Sequence, residues 1–235
     1  MEHEGSILYG PVNAIWHSVQ HRWVWDIPDH VIMAALVLLI SAIVFPLATR
    51  RISRDNPGTM QHLLELTVTG LKTLLNDIIG HEGDQFLYII GAFACFIFIA
   101  NMFGLFFFLA PPTSNPNTTF ALSISAFLYY NYKGIRTHGV LRYFKHFAGP
   151  VWWLAPLMFP IELIGNFARI LSLSMRLFGN IFGEHTATGI FMGLIPLVVP
   201  WPMMALGIFG AFLQTFVFIM LTMVYISAAT AVEEH

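Results

Sequence analysis

The chain has 235 residues, 57% of them hydrophobic and only 10% charged, with a mean hydropathy of +0.69. Soluble domains carry roughly 25% charged residues, so this composition excludes a soluble globular fold and indicates an integral membrane protein. A net charge of −2 without a polybasic run argues against nucleic-acid binding, and the lone Cys95, inside an apolar run, excludes a disulfide framework or a CxxC site.

Residues 1–30 read as a polar, aromatic outer segment. Acids at Glu2, Glu4, Asp26 and Asp29, with no basic stretch leading into an apolar core, argue against a signal peptide. Trp16, Trp23 and Trp25 suit a membrane-interface anchor. His17 and His21 stand at i, i+4 but lack a third ligand, so they read as solvated; neither a metal nor a cofactor is expected on this chain.

Val31 to Thr49 is free of charge over 19 residues, enough for a first span. Arg50, Arg51 and Arg54 follow, and Asn56-Pro57 reads as a helix start, Asn capping and Pro at the first position. From 57 to 80 the apolar positions recur with helical period opposite Gln61, His62, Glu65, Lys72 and Asn76. A helix polar along one side belongs on the membrane surface rather than across it.

Residues 85–132 hold no charged side chain over 48 positions, punctuated by Pro111, Pro112 and Pro116. The pattern predicts a helical hairpin, 85–110 and 118–132, with a tight polar turn. A basic loop with Lys133, Arg136, Arg142 and Lys145 comes next. Two long segments close the chain, 150–192 and 203–232. Pro156 and Pro160 are expected to kink the first or delay its regular part, and Pro196, Pro200 and Pro202 to separate the two. The fold class is all-α: a polytopic membrane protein with five transmembrane helices and one amphipathic surface helix. The basic loops belong in the cytoplasm, which puts the N-terminus outside and Glu233-Glu234-His235 inside.

The segment 150–192 is apolar yet carries Glu162, Arg169, Arg176, Glu184 and His185. Charges at bilayer depth cost between about 2.5 and 17 kcal/mol for Arg, so they are paired, wetted or functional. Seven residues advance a helix by nearly two turns, so Glu162, Arg169 and Arg176 share one stripe. Ser172 and Asn180 flank Arg176 at i−4 and i+4. Glu184 lies roughly 12 Å beyond Arg176 along the axis. A structural ion pair, Glu162 with Arg169, is the plain alternative for part of this stripe. As a path for H⁺ or Na⁺ it would need polar groups leading in from each face and a barrier between them. Arg176 suits the barrier, because a guanidinium keeps its charge on burial.

LSLSMRLFGNIFGEH and GAFLQTFVFIMLTMVYISAATAVEEH, in this order, resemble subunit a of the rotary F-type ATP synthases. The resemblance is close from about Pro160 to His235 and looser from about Trp23 to Pro150. It implies a membrane stator in a bacterial inner membrane. Its partners would be the c-ring of small two-helix subunits and peripheral-stalk subunit b, and indirectly the catalytic ATPase head. No ATP chemistry is implied on this chain, which has no GxxxxGK[ST] motif. Carried over, Arg176 matches the essential stator arginine. Glu184 and Asn180 match the outer half-channel, and Gln214 the last-helix glutamine near the arginine. Glu162 and Ser172 match the cytoplasmic side, with Arg169 beside them. Many bacterial members carry a histidine seven residues before that glutamine; here the position is Gly207, which leaves His185, pointing about 100° away from Glu184, as a candidate substitute. The resemblance admits H⁺ or Na⁺, since the carrier carboxylate lies on another chain. A secondary transporter is the alternative, prompted by the two uncharged 48-residue blocks 85–132 and 185–232, which share no polar pattern.

Overall fold

The computed structural model describes residues 7–19, 28–49, 58–80, 82–106, 109–140, 143, 155–194 and 200–230. Among these the chain is helical throughout. Its α-helices are α1 (Tyr9–Val19), α2 (Asp29–Thr49), α3 (Thr59–Ile79), α4 (Leu87–Met102), α5 (Pro116–His138), α6 (Ala155–Leu194) and α7 (Pro200–Thr230). Arg50, Arg51, Arg54, Asn56-Pro57, Trp23, Trp25, Arg142, Lys145, Pro196 and Glu233-Glu234-His235 lie outside the described residues.

Among the described residues, four helical stretches are long and apolar enough to cross a membrane: Asp29–Leu47, Gly83–Leu105, Pro156–Phe191 and Trp201–Thr230. The fifth expected span, α5, is not among them. It runs through Lys133 and Arg136 to His138 rather than stopping at 132. It also carries hydroxyls that are satisfied inside the fold: Ser123 donates to the Thr119 carbonyl, and both side chains are buried. A helix that hides its polar side against neighbours reads as less apolar than its surroundings make it.

Three boundaries differ from the sequence reading. The segment before the first span contains a helix, α1, and Leu8 at its start packs on Met33, Val37, Ala100 and Phe103, the small core between α2 and α4. α6 begins before both Pro156 and Pro160, so those prolines do not delay it; Pro160 sits inside the helix. Its missing N–H costs one bond near the end, where the break is most easily absorbed. α7 begins at Pro200 rather than near 203, with Pro200 and Pro202 in its first turn. The first turn has no intrahelical partner for those N–H groups in any case.

The turn into α5 follows local chemistry. Pro116 stands at the first helical position and Asn115 caps it, its side chain accepting from the Asn117 N–H at 2.9 Å. Gly139 ends the helix at φ +79°, a left-handed conformation open to glycine. The larger core joins Leu75 of α3, Ile97 of α4, Tyr130 of α5, Leu177 of α6 and Phe218 and Ile226 of α7. α3 thus docks its apolar edge on the bundle, and Ser227 of α7 donates to the Ile78 carbonyl at 2.9 Å. Its residues His62, Glu65, Lys72 and Asn76 remain exposed.

Candidate functional site: the seam between the two long helices

α6 buries one face and leaves the other open. Asn166, Leu173, Ser174, Leu177 and Ile181 are buried, whereas Phe167, Leu171, Met175 and Phe182 are exposed. An α-helix drifts about 20° per heptad against a seven-residue repeat, so the charged stripe is not held on one face. Glu162 and Arg169 are half-buried, and Arg176 is exposed.

The stripe therefore divides into separate environments. Toward the start of α6, Arg169 Nη2 lies 3.6 Å from Glu162 Oε1, the ion pair allowed for by the spacing. The Arg169 guanidinium also lies over the Tyr225 ring of α7, 5.4 Å from its centre. Asn166 sits between them on the buried side; it accepts from the Tyr130 hydroxyl at 3.1 Å and donates to the Glu162 carbonyl at 3.3 Å. Tyr143, past the end of α5, donates to Asn131 at 2.8 Å. Burial pushes the Tyr143 hydroxyl up, against the opposing pull of Arg169, so it stays a donor.

Two turns further on stands Arg176. Among the described residues no ion pair or hydrogen bond reaches its guanidinium. Ser172, one turn before it, is likewise exposed, whereas Ser174 points inward and donates to Thr119 Oγ1 of α5 at 3.1 Å. One turn after Arg176, Asn180 Nδ2 donates to Gln214 Oε1 of α7 at 3.2 Å, and Gln214 itself is buried. The structure thus joins Asn180 to Gln214 and Glu162 to Arg169, and leaves Arg176 open between them.

Glu184 and His185 diverge. The Glu184 carboxylate rests against Gly207 and Gly210 of α7: a methyl group at Gly207 would collide with its Oε1, and one at Gly210 would come within 3.3 Å of its Oε2. His185 turns to the α4–α5 connection instead, where a methyl group at Gly104 would lie 3.6 Å from its Nε2 and 3.5 Å from Pro111. The two side chains are not brought together.

Tyr130, Asn166, Gly210 and Tyr225 were not singled out from the sequence. For α7 the signal was there: Gly207, Gln214 and Tyr225 fall within about 20° of one another on a helix. Tyr130 had no such signal, because its partner on α6 is distant in sequence.

The match to known proteins covers nearly the whole fold. The family model described as ATP synthase A chain matches residues 31–227. ATP synthase subunit a 2 of Syntrophotalea carbinolica is 47% identical over 201 residues, 86% of this chain and 85% of that protein. ATP synthase subunit a of Nitratiruptor sp. is 44% identical over 208 residues, 88% of this chain and 90% of that one. The corresponding protein of Sulfurimonas denitrificans is 42% identical over 227 residues, 96% of this chain and all of its own length (100%). With an all-helical fold, apolar spans and an arginine-bearing long helix, this multi-pass protein of a bacterial membrane belongs to the ATP synthase A chain family, as subunit a of an F-type ATP synthase.

Proposed function

We propose that this subunit carries two offset ion half-channels separated by Arg176, and that passage of the ion through them drives rotation of the c-ring. In this reading the open face of α6, with Leu171, Met175 and Phe182 around the arginine, lies against the ring. Subunit b is the further stator neighbour. Five helices cross the membrane, α3 lies on its cytoplasmic surface, and the N-terminus is outside.

The observation that supports this reading is the setting of Arg176. It is exposed on an apolar face, with Asn180–Gln214 on one side and Glu162–Arg169–Tyr225 on the other. An unpaired guanidinium facing lipid is costly, whereas one facing a moving carboxylate on a partner is compensated. Glu184, Asn180 and Gln214 then serve the outer path, with His185 set apart from the carboxylate at Gly104, and Glu162, Arg169 and Ser172 serve the cytoplasmic one. Each ion carried gains about 2.3 kcal/mol per 100 mV of membrane potential. A fixed charge between the paths prevents the ion from crossing without turning the ring.

The test is substitution of Arg176 in the assembled complex. Arg176→Ala should abolish ATP-driven ion pumping by inverted vesicles while the subunit still co-purifies with an oligomer of small two-helix proteins. Normal pumping in Arg176→Ala, or purification without such an oligomer in the wild type, would overturn the reading.

A further inference from the structure

α6 turns the half-buried Glu184 into the seam with α7. Its two carboxylate oxygens lie against two glycines, Gly207 and Gly210, one turn apart on α7. Residues at i and i+3 share a helix face, so together they open a notch on the side of α7 that meets α6. Leu105 closes one wall: a methyl group at Gly207 would lie 2.8 Å from its Cδ2. Among the described residues no hydrogen bond or ion pair holds the carboxylate, so its position is set by shape. Any side chain at 207 would occupy the volume that Oε1 now fills.

We propose that Gly207 and Gly210 are positioning residues, a notch that seats the Glu184 carboxylate in the α6–α7 seam for exchange with the ion path. This rests on the proposed path through Glu184. The absence of a side chain at 207 is then functional: the space goes to the carboxylate of the facing helix. A displacement near 1 Å of a reacting group can lower a rate about 100-fold, so eviction from the notch should be visible in ion flux.

The experiment is passive proton flux through membrane sectors in vesicles stripped of the catalytic head, with assembly checked by recovery of the complex. Gly207→Ala should lower flux by about tenfold or more at normal assembly. Gly210→Ala, where the approach is tight without collision, should lower it less. Glu184→Asp, one methylene shorter, should restore part of the flux in the Gly207→Ala background. Leu105→Ala, which relieves only the other wall, should not. Wild-type flux in Gly207→Ala, or rescue by Leu105→Ala and not by Glu184→Asp, would overturn the seat. If Gly207→Ala does not assemble, recovery of the complex by Glu184→Asp alone supports the seat, and recovery by Leu105→Ala alone overturns it. Glu184→Gln separates the two levels. Wild-type flux there removes the path through Glu184 and the seat with it. Slowed flux there with normal flux in Gly207→Ala removes the seat only.

Discussion

If Arg176 is the barrier between two half-channels, its removal should convert a coupled motor into a leak. Asn180 follows Arg176 by one turn, about 6 Å along the axis. A monovalent cation at the Asn180–Gln214 pair would feel about 3 kcal/mol of repulsion from the guanidinium at an effective dielectric of ~20. That corresponds to about 100-fold lower occupancy. Arg176→Gln removes the charge and keeps much of the side-chain volume. Passive proton flux through stripped vesicles under a potassium-valinomycin potential should therefore rise, by up to about 100-fold. ATP-driven pumping, followed by fluorescence quenching in unstripped vesicles, should fall to background. Arg176→Lys should keep the leak low while protonated but lose most coupled pumping, because a buried ammonium can give up its proton. Normal pumping in Arg176→Gln would refute the coupling role. Lost pumping with a leak unchanged from wild type would refute the barrier argument.

Two further expectations follow from the fold. In a Cys95→Ala background, Ser114→Cys should label from the outer face and Thr137→Cys from the cytoplasmic face, and labelling of both from one side would overturn the five-span arrangement. Ser174→Ala should cost only about 1 kcal/mol in resistance of the purified complex to thermal inactivation, because Thr119 Oγ1 keeps its own bond to the Pro116 carbonyl at 3.0 Å. A loss of assembly would show that the α5–α6 contact depends on that hydroxyl.

The helices were legible because each is written in a pattern the membrane enforces: an uncharged run for α2, α4 and α7, an amphipathic period for α3. The long charged helix was legible for the same reason, since Arg176 stands out only against an apolar background. α1 was missed because residues 1–30 read only as a polar, aromatic segment, and the contact of Leu8 with the core between α2 and α4 has no local signal. The charged stripe was legible as a set of residues but not as an arrangement. Heptad spacing put Arg169 and Arg176 on one stripe, yet Tyr225 of α7 and Glu162 one heptad earlier on α6 give the first a ring and an acid, and the second is left open. Tyr225 could have been found from its spacing to Gln214, whereas Tyr130 could not, because contacts between α5 and α6 have no local code.

The histidine next to Glu184 illustrates what geometry decides beyond composition. With Gly207 in place of a histidine, sequence alone allows His185 to act as the carboxylate's partner. The two side chains leave α6 about 100° apart, and each finds a different glycine: Glu184 lies at Gly207 and Gly210 on α7, His185 at Gly104 beside Pro111. The segment Gly104-Leu105 lies between those destinations, with Leu105 against the Gly207 notch and Gly104 against the imidazole. A direct proton exchange needs donor and acceptor within about 3 Å, or one water between them. Neighbours that leave one helix about 100° apart, each seated against a different glycine, do not provide that. His185→Ala should therefore slow passive flux far less than Glu184→Gln, with Glu184→Asp between the wild type and Glu184→Gln. The comparison is made on stripped vesicles carrying equal amounts of assembled complex. Flux lost as completely in His185→Ala as in Glu184→Gln would show that the imidazole is an obligatory member of the outer path, and that the α4–α5 connection it leans on moves during transport to bring it to the carboxylate.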